Sequence, residues 1–115
     1  LPAGLAGDEP GAHGEELAEA ARRELLEKTG YACDALEVCC YGPSSAGLTN
    51  EVLTVFRAVG ARRAGAGGGV AGEAITTHEV PLADVPAWLE ARQRAGALVD
   101  PKVYAALFFA RGSGV

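Results

Sequence analysis

Between residues 15 and 29 apolar and charged positions follow one another with a helical period. Leu17, Ala18, Ala21 and Leu25 recur three or four residues apart with Leu26 beside them, Glu15 and Glu16 stand in the first turn, and Gly30 follows the end. This pattern predicts an amphipathic helix with a glycine stop. Ahead of it GLAGDEPGAHG, residues 4–14, has no apolar period and reads as loop. Beyond it ALEVCCYG, 35–42, predicts a strand closed by Gly42-Pro43, and EVLTVFRAV, 51–59, predicts a longer, central strand, with PSSAGLTN as the loop between them. GARRAGAGGGVAGE is a glycine-rich connection expected to stay mobile, and AITTHEVPL, 74–82, predicts a third strand ending at Pro81. Two helices close the chain. LADVPAWLEARQRAG puts Val85, Trp88 and Leu89 on one side and Arg92 and Arg94 toward water, and DPKVYAALFFARG opens on Asp100 as N-cap with Pro101 at the first helical position. The spacing of Trp88, Phe108 and Phe109 predicts core rather than a binding platform.

The order helix, three strands, helix, helix shows no internal repeat and implies a small α/β or α+β domain, a single unit over residues 1–115 whose sheet is short of edge partners. Nearly half of the 115 residues are apolar, enough for one core. The net charge of −5 and the scattering of Lys and Arg exclude a nucleic-acid footprint; Arg62-Arg63 is the nearest approach to a basic patch. No apolar run reaches the ~20 residues of a membrane span, and LPAGLAGDEPG lacks the basic start and apolar core of a signal peptide, so a cytoplasmic protein is expected. The chain begins at Leu1 and contains no methionine, from which a missing N-terminal portion is expected. Cys33, Cys39 and Cys40 fit neither a disulfide framework nor a zinc site and are expected as buried free thiols.

Arg23 and Glu24 stand about one turn before Glu27 and Lys28 on the first helix, so Glu24, Glu27 and Lys28 can converge on one side. Paired carboxylates suit a hard divalent cation that keeps open positions for phosphate and water. Taken alone, four such residues also describe an ordinary solvated helix face with weak ion pairs. The wider string decides between these. LPAG at 1–4, Glu15, and RELLEKTGY at 23–31 together resemble the signature of the Nudix hydrolases, G-x5-E-x7-R-E-U-x-E-E-x-G-U with U bulky and apolar, matching at Glu15, Arg23, Glu24, Leu25, Glu27, Gly30 and Tyr31. PSSAGLTNE at 43–51 and GEAITTHEVPL at 72–82 look like loops of the ADP-ribose pyrophosphatase-like branch.

The chain also departs from the pattern. Ten residues separate Gly4 from Glu15 where the family has five, Lys28 replaces the second glutamate of the E-E pair, and Ala46 replaces a proline that helps mark the branch.

The resemblance implies an α-β-α sandwich with a Nudix-type mixed sheet between helices, here without its N-terminal strands. It implies Mg²⁺, with Mn²⁺ as the alternative, held by Glu24, Glu27 and the backbone carbonyl of Ala3. Arg23 would orient the glutamates, its ordinary alternative being a pair with Glu27. Glu73 would bind metal or act as general base from a closing loop, the alternative being an exposed loop carboxylate. Glu51 and Gly4 would contact substrate, a solvated strand start being the alternative at Glu51. The implied activity is hydrolysis of the diphosphate linkage of ADP-ribose or a related nucleoside diphosphate sugar to AMP and a sugar phosphate, by a protein that is a homodimer at full length. The alternative, resting on Lys28, Ala46 and the lengthened loop, is a Nudix-fold module with a weakened site, kept for binding a nucleotide or a partner; an ammonium beside a divalent ion costs several kcal/mol even at a dielectric of about 20, against a helix-pair gain of roughly 0.3–0.5 kcal/mol.

Gly67, Gly69 and Gly72 spell G-x-G-x-x-G, but a strand is expected after them and no strand-to-helix turn contains them, so a dinucleotide fingerprint is excluded. His13 and His78 stand alone, without a ligand or nucleophile pattern.

Overall fold

The helical period at the start of the chain becomes α1, Gly14–Thr29. A computed structural model describes residues 1–2, 14–70 and 72–112, apart from the side chains of Gly14, Glu15 and Gly112. Leu17, Ala18, Ala21 and Leu25 are half-buried while Glu16, Glu19 and Arg23 face water, so the period of 3.6 sorts the helix into two faces as it should. Gly30, at φ +80°, ends the helix in the left-handed conformation that lacks a side-chain penalty only for glycine, and its N–H reaches back to the Leu26 carbonyl at 2.9 Å.

After the helix come β1, Tyr31–Ala32, β2, Ala35–Pro43, β3, Val52–Val59, and β4, Arg62–Arg63. β1 pairs with β4 and β2 with β3, both antiparallel. Arg22 fastens α1 to the start of this region by donating to the Cys33 carbonyl at 3.0 Å and the Asp34 carbonyl at 3.4 Å. A short 3-10 turn, Leu82–Asp84, leads into α2, Val85–Arg94, and α3, Pro101–Gly112, follows. Lys102 N–H donates to Asp100 Oδ1 at 2.9 Å, the N-cap expected from Asp-Pro.

The described residues form a small mixed α+β arrangement of three helices and two antiparallel pairs of strands. They divide into two compact units, Pro2–Thr77, and His78–Val115 with Leu1. In the first, Cys33 is the buried side chain; in the second, Leu89 is.

Five expectations need correcting. Residues 74–82 form no strand: they run without a ladder into the 3-10 turn, because β-branched residues make a strand only where an edge is available to pair with. β3 is not central; among the described residues it has one neighbour, β2, and neither sheet is mixed. Phe108 is exposed, although Phe109 packs edge-on against it at 5.2 Å between ring centres. α3 carries apolar residues on every side, and a helix of that kind cannot bury them all against one neighbour. Of the three cysteines, all free, Cys33 is buried but Cys39 and Cys40 are half-exposed.

Cys39 has a structural consequence of its own. The register pairs Val38 with Phe56 and Cys40 with Val55, leaving Cys39 as the extra residue of a bulge. Because directly paired residues share a face, the bulge puts Val38 and Tyr41, three apart in sequence, on one face with Val52 and Phe56. Val38, Tyr41 and Val52 are exposed there.

Candidate functional site

The last two turns of α1 hold the charged residues. Lys28 Nζ lies 3.4 Å from Glu24 Oε2, with the side chains only 22% and 18% exposed, and Arg23 reaches the other oxygen, Glu24 Oε1, at 3.8 Å. Glu24 is therefore bracketed by two cations. The expected alternative partner of Arg23, Glu27, is not the one it takes; the guanidinium stays largely in water beside its neighbour Glu24. Glu27 is half-buried, and its carboxylate has no hydrogen-bond or ion-pair partner among the described residues.

The backbone of this turn is held by a distant segment. A helix ends with carbonyls that have no partner inside it. Here Gly69 N–H donates to the Glu27 carbonyl at 2.9 Å, Gly68 N–H to the Lys28 carbonyl at 3.0 Å, and Thr77 Oγ1 to the same Lys28 carbonyl at 3.3 Å. Ala64 and Gly65 N–H groups both donate to the Gly30 carbonyl, at 2.7 and 2.9 Å. The glycine-rich stretch, expected to be mobile, is thus a clasp over the C-terminus of α1. Gly69 shows why glycine is needed: its φ is +87°, and a Cβ there would lie 2.8 Å from Glu73 Cβ and 2.9 Å from Ile75 Cδ1.

Glu73 belongs to that clasp. Its Oε1 accepts from Val70 N–H at 3.0 Å, and its own N–H donates to the Val70 carbonyl at 3.0 Å, which closes a tight loop. The fold brings this exposed carboxylate to the same end of α1 as Glu27 and Lys28. Glu51 is elsewhere, at the base of β3: its N–H takes Thr49 Oγ1 at 3.1 Å, its carbonyl accepts from Ser44 N–H at 3.1 Å, and nothing among the described residues links its carboxylate to α1. Ala3 and Gly4 lie outside the described residues.

Among the described residues no three carboxylate, imidazole or thiol groups gather closely enough to hold a metal ion. Two carboxylates one turn apart do suit a Mg²⁺ ion whose remaining positions come from a diphosphate and water, since Mg²⁺ commonly takes one or two protein carboxylates in such sites. The donor set fits a cation shared with substrate and does not fit a cage made by protein alone. The clasp residues Gly68 and Thr77 carry no pattern of their own in the sequence, and Gly69 enters it only within the excluded G-x-G-x-x-G run. The available signal was the run of glycines itself, which denotes backbone freedom without saying what the backbone will meet.

Searches against models of known protein families, against curated proteins and against solved structures find no match to this chain. No helix among the described residues is long and apolar enough to cross a membrane.

Proposed function

We propose that this chain hydrolyses the diphosphate linkage of ADP-ribose or a related nucleoside diphosphate sugar, with Mg²⁺, to AMP and a sugar phosphate. The observation that carries the reading is the register of Arg23, Glu24, Glu27 and Gly30 on one helix, whose last turn is clasped by the loop bearing Glu73. In it, Glu24 and Glu27 hold the cation, and Arg23 orients Glu24 from 3.8 Å away. Mg²⁺ supplies neutralisation of phosphate charge and polarisation of the phosphoryl oxygens. Glu73 accepts the proton of the attacking water, so that the new P–O bond forms as the bridging oxygen leaves with the other phosphate.

The test is AMP release from ADP-ribose with Mg²⁺ by the protein and by Glu27→Gln. Turnover should fall by about 10²-fold or more in the variant, the scale of losing a group that stabilises transition-state charge. No release from any nucleoside diphosphate sugar, with either Mg²⁺ or Mn²⁺, would end the hydrolase reading.

The Lys28–Glu24 pair, at 3.4 Å, favours a second reading, a nucleotide-binding module in which Lys28 has displaced the metal. That reading expects nucleotide binding without turnover in the natural chain, and turnover appearing in Lys28→Glu.

A further inference from the structure

The hairpin of β2 and β3 has two outer edges, and they are not alike. β2 is interrupted by the bulge at Cys39 and ends at Pro43, two features that spoil an edge for further pairing. β3 has no bulge residue, proline or glycine, and its one charged side chain, Arg57, is already held by Glu37 of β2. The backbone groups of β3 can be assigned to sides. Ser44 N–H donates to the Glu51 carbonyl at 3.1 Å and Asp34 N–H to the Val59 carbonyl at 2.8 Å, so residues 51 and 59 turn their backbone groups toward β2. Alternation along the strand then points the N–H and C=O of Val52, Thr54, Phe56 and Ala58 away from β2, where no strand among the described residues pairs with them.

A two-stranded hairpin is marginal in water, and three or more strands are needed before a sheet stands by itself. We infer that the free edge of β3 pairs antiparallel with β3 of a second copy of this chain, about a two-fold axis at Val55, giving a four-stranded sheet in the order β2-β3-β3-β2. The register follows from the outward groups. To exchange N–H and C=O they must oppose one another, and the axis at Val55 sets Val52 against Ala58 and Thr54 against Phe56 of the other copy. Moving the axis to Thr54 or Phe56 leaves fewer outward residues opposed, and moving it to Arg57 sets two arginines face to face. At Val55 no like charges meet, since Arg57 falls opposite Leu53. A second β3 suits this edge because it brings the same unblunted row of donors and acceptors. Both copies spend the same edge, so the assembly closes at two chains, and the outer edges it leaves are those of β2, blunted at Cys39 and Pro43.

Sedimentation equilibrium over a rising range of concentration should show the mass of two chains and no larger species. Thr54→Pro removes an outward N–H at an edge position, where proline is compatible with the β2 ladder, and should weaken association about tenfold or more. Val55→Lys and Val55→Glu oppose like charges across the axis, so each should sediment as a single chain, and an equimolar mixture of the two should recover the two-chain mass. Far-ultraviolet dichroism of each variant checks that the hairpin is kept. A natural protein with the mass of one chain at every concentration overturns the inference, and so do masses beyond two chains, which mark open pairing. Association unchanged in Thr54→Pro overturns it by placing the contact away from β3, and a mixture of the Val55 variants that stays single overturns the two-fold register. A single-chain protein that takes up a synthetic EVLTVFRAV peptide, residues 51–59, also overturns it, the occupant of the edge then being an extended peptide.

Discussion

At the scale of single residues, the sharpest conformational demand falls on Gly69. Alanine at φ +87° adds a left-handed backbone cost of roughly 1–2 kcal/mol, and its Cβ would press on Glu73 and Ile75. Gly69→Ala should therefore lower the unfolding free energy by about 2 kcal/mol or more in denaturant titrations, and should speed hydrogen exchange at the Gly68 amide, which is bonded to the last turn of α1. Asp100 gives a prediction in pH. Its hydrogen bonds with the Lys102 side chain and backbone N–H hold its carboxyl below the usual carboxylate range. A depressed folded-state value stabilises the fold above the unfolded-state pKa of about 4 and loses that contribution as pH falls through the lower value. The helical signal of α3 should weaken below about pH 4 in the natural chain. Asp100→Asn should flatten that transition, since an asparagine can cap without titrating.

At the scale of elements, the hairpin of β2 and β3 depends on one inserted residue. Cys39 occupies the bulge, and with Cys40 it is half-exposed while Cys33 is buried. A thiol reagent under native conditions should modify Cys39 and Cys40 quickly and Cys33 only on unfolding. Equal rates at all three would contradict the placement of Cys33 under the Arg22 contacts. The helices were the most legible elements. α1 and α3 carry local start and stop signals, Gly30 and Asp100-Pro101, and each signal acts in the structure as its chemistry suggests. The stretch 74–82 was misleading for a corresponding reason. Its cluster of β-branched residues, Ile75, Thr76, Thr77 and Val80, is local, but a strand needs a partner supplied by another part of the chain. The bulge was likewise invisible, because one residue more or less in a ladder is set by the opposite strand.

At the scale of the whole molecule, burial among the described residues is shallow. Among the described residues Cys33 at 6% and Leu89 at 4% exposure are the buried apolar side chains, whereas Val38, Tyr41, Leu48, Leu98 and Phe108 are exposed. Leu89→Ala removes the most buried side chain of its unit and should cost about 2–5 kcal/mol, read as loss of the fluorescence signature of the neighbouring Trp88 at lower denaturant. Trp88 is a suitable reporter because its ring contacts both the His78 ring, 5.1 Å away, and the Arg92 guanidinium, also at 5.1 Å.

The candidate site divides along the same line between near and far in sequence. Glu24, Glu27 and Lys28 share one turn of α1, and helical periodicity alone was enough to bring them together, since residues three and four apart must be neighbours on a helix. Their company could not be read in that way. The joining of Glu73 to that turn runs through hydrogen bonds between carbonyls at 27 and 28 and amides at 68 and 69, a pairing no local rule specifies. The Lys28–Glu24 contact is an i,i+4 pair that helical spacing offers, whereas the shielding of both side chains from water is provided only by the packed chain. Periodicity sets neighbours within an element; which loop closes over the end of that element, and where a flexible charged side chain comes to rest, follow from contacts made across the fold.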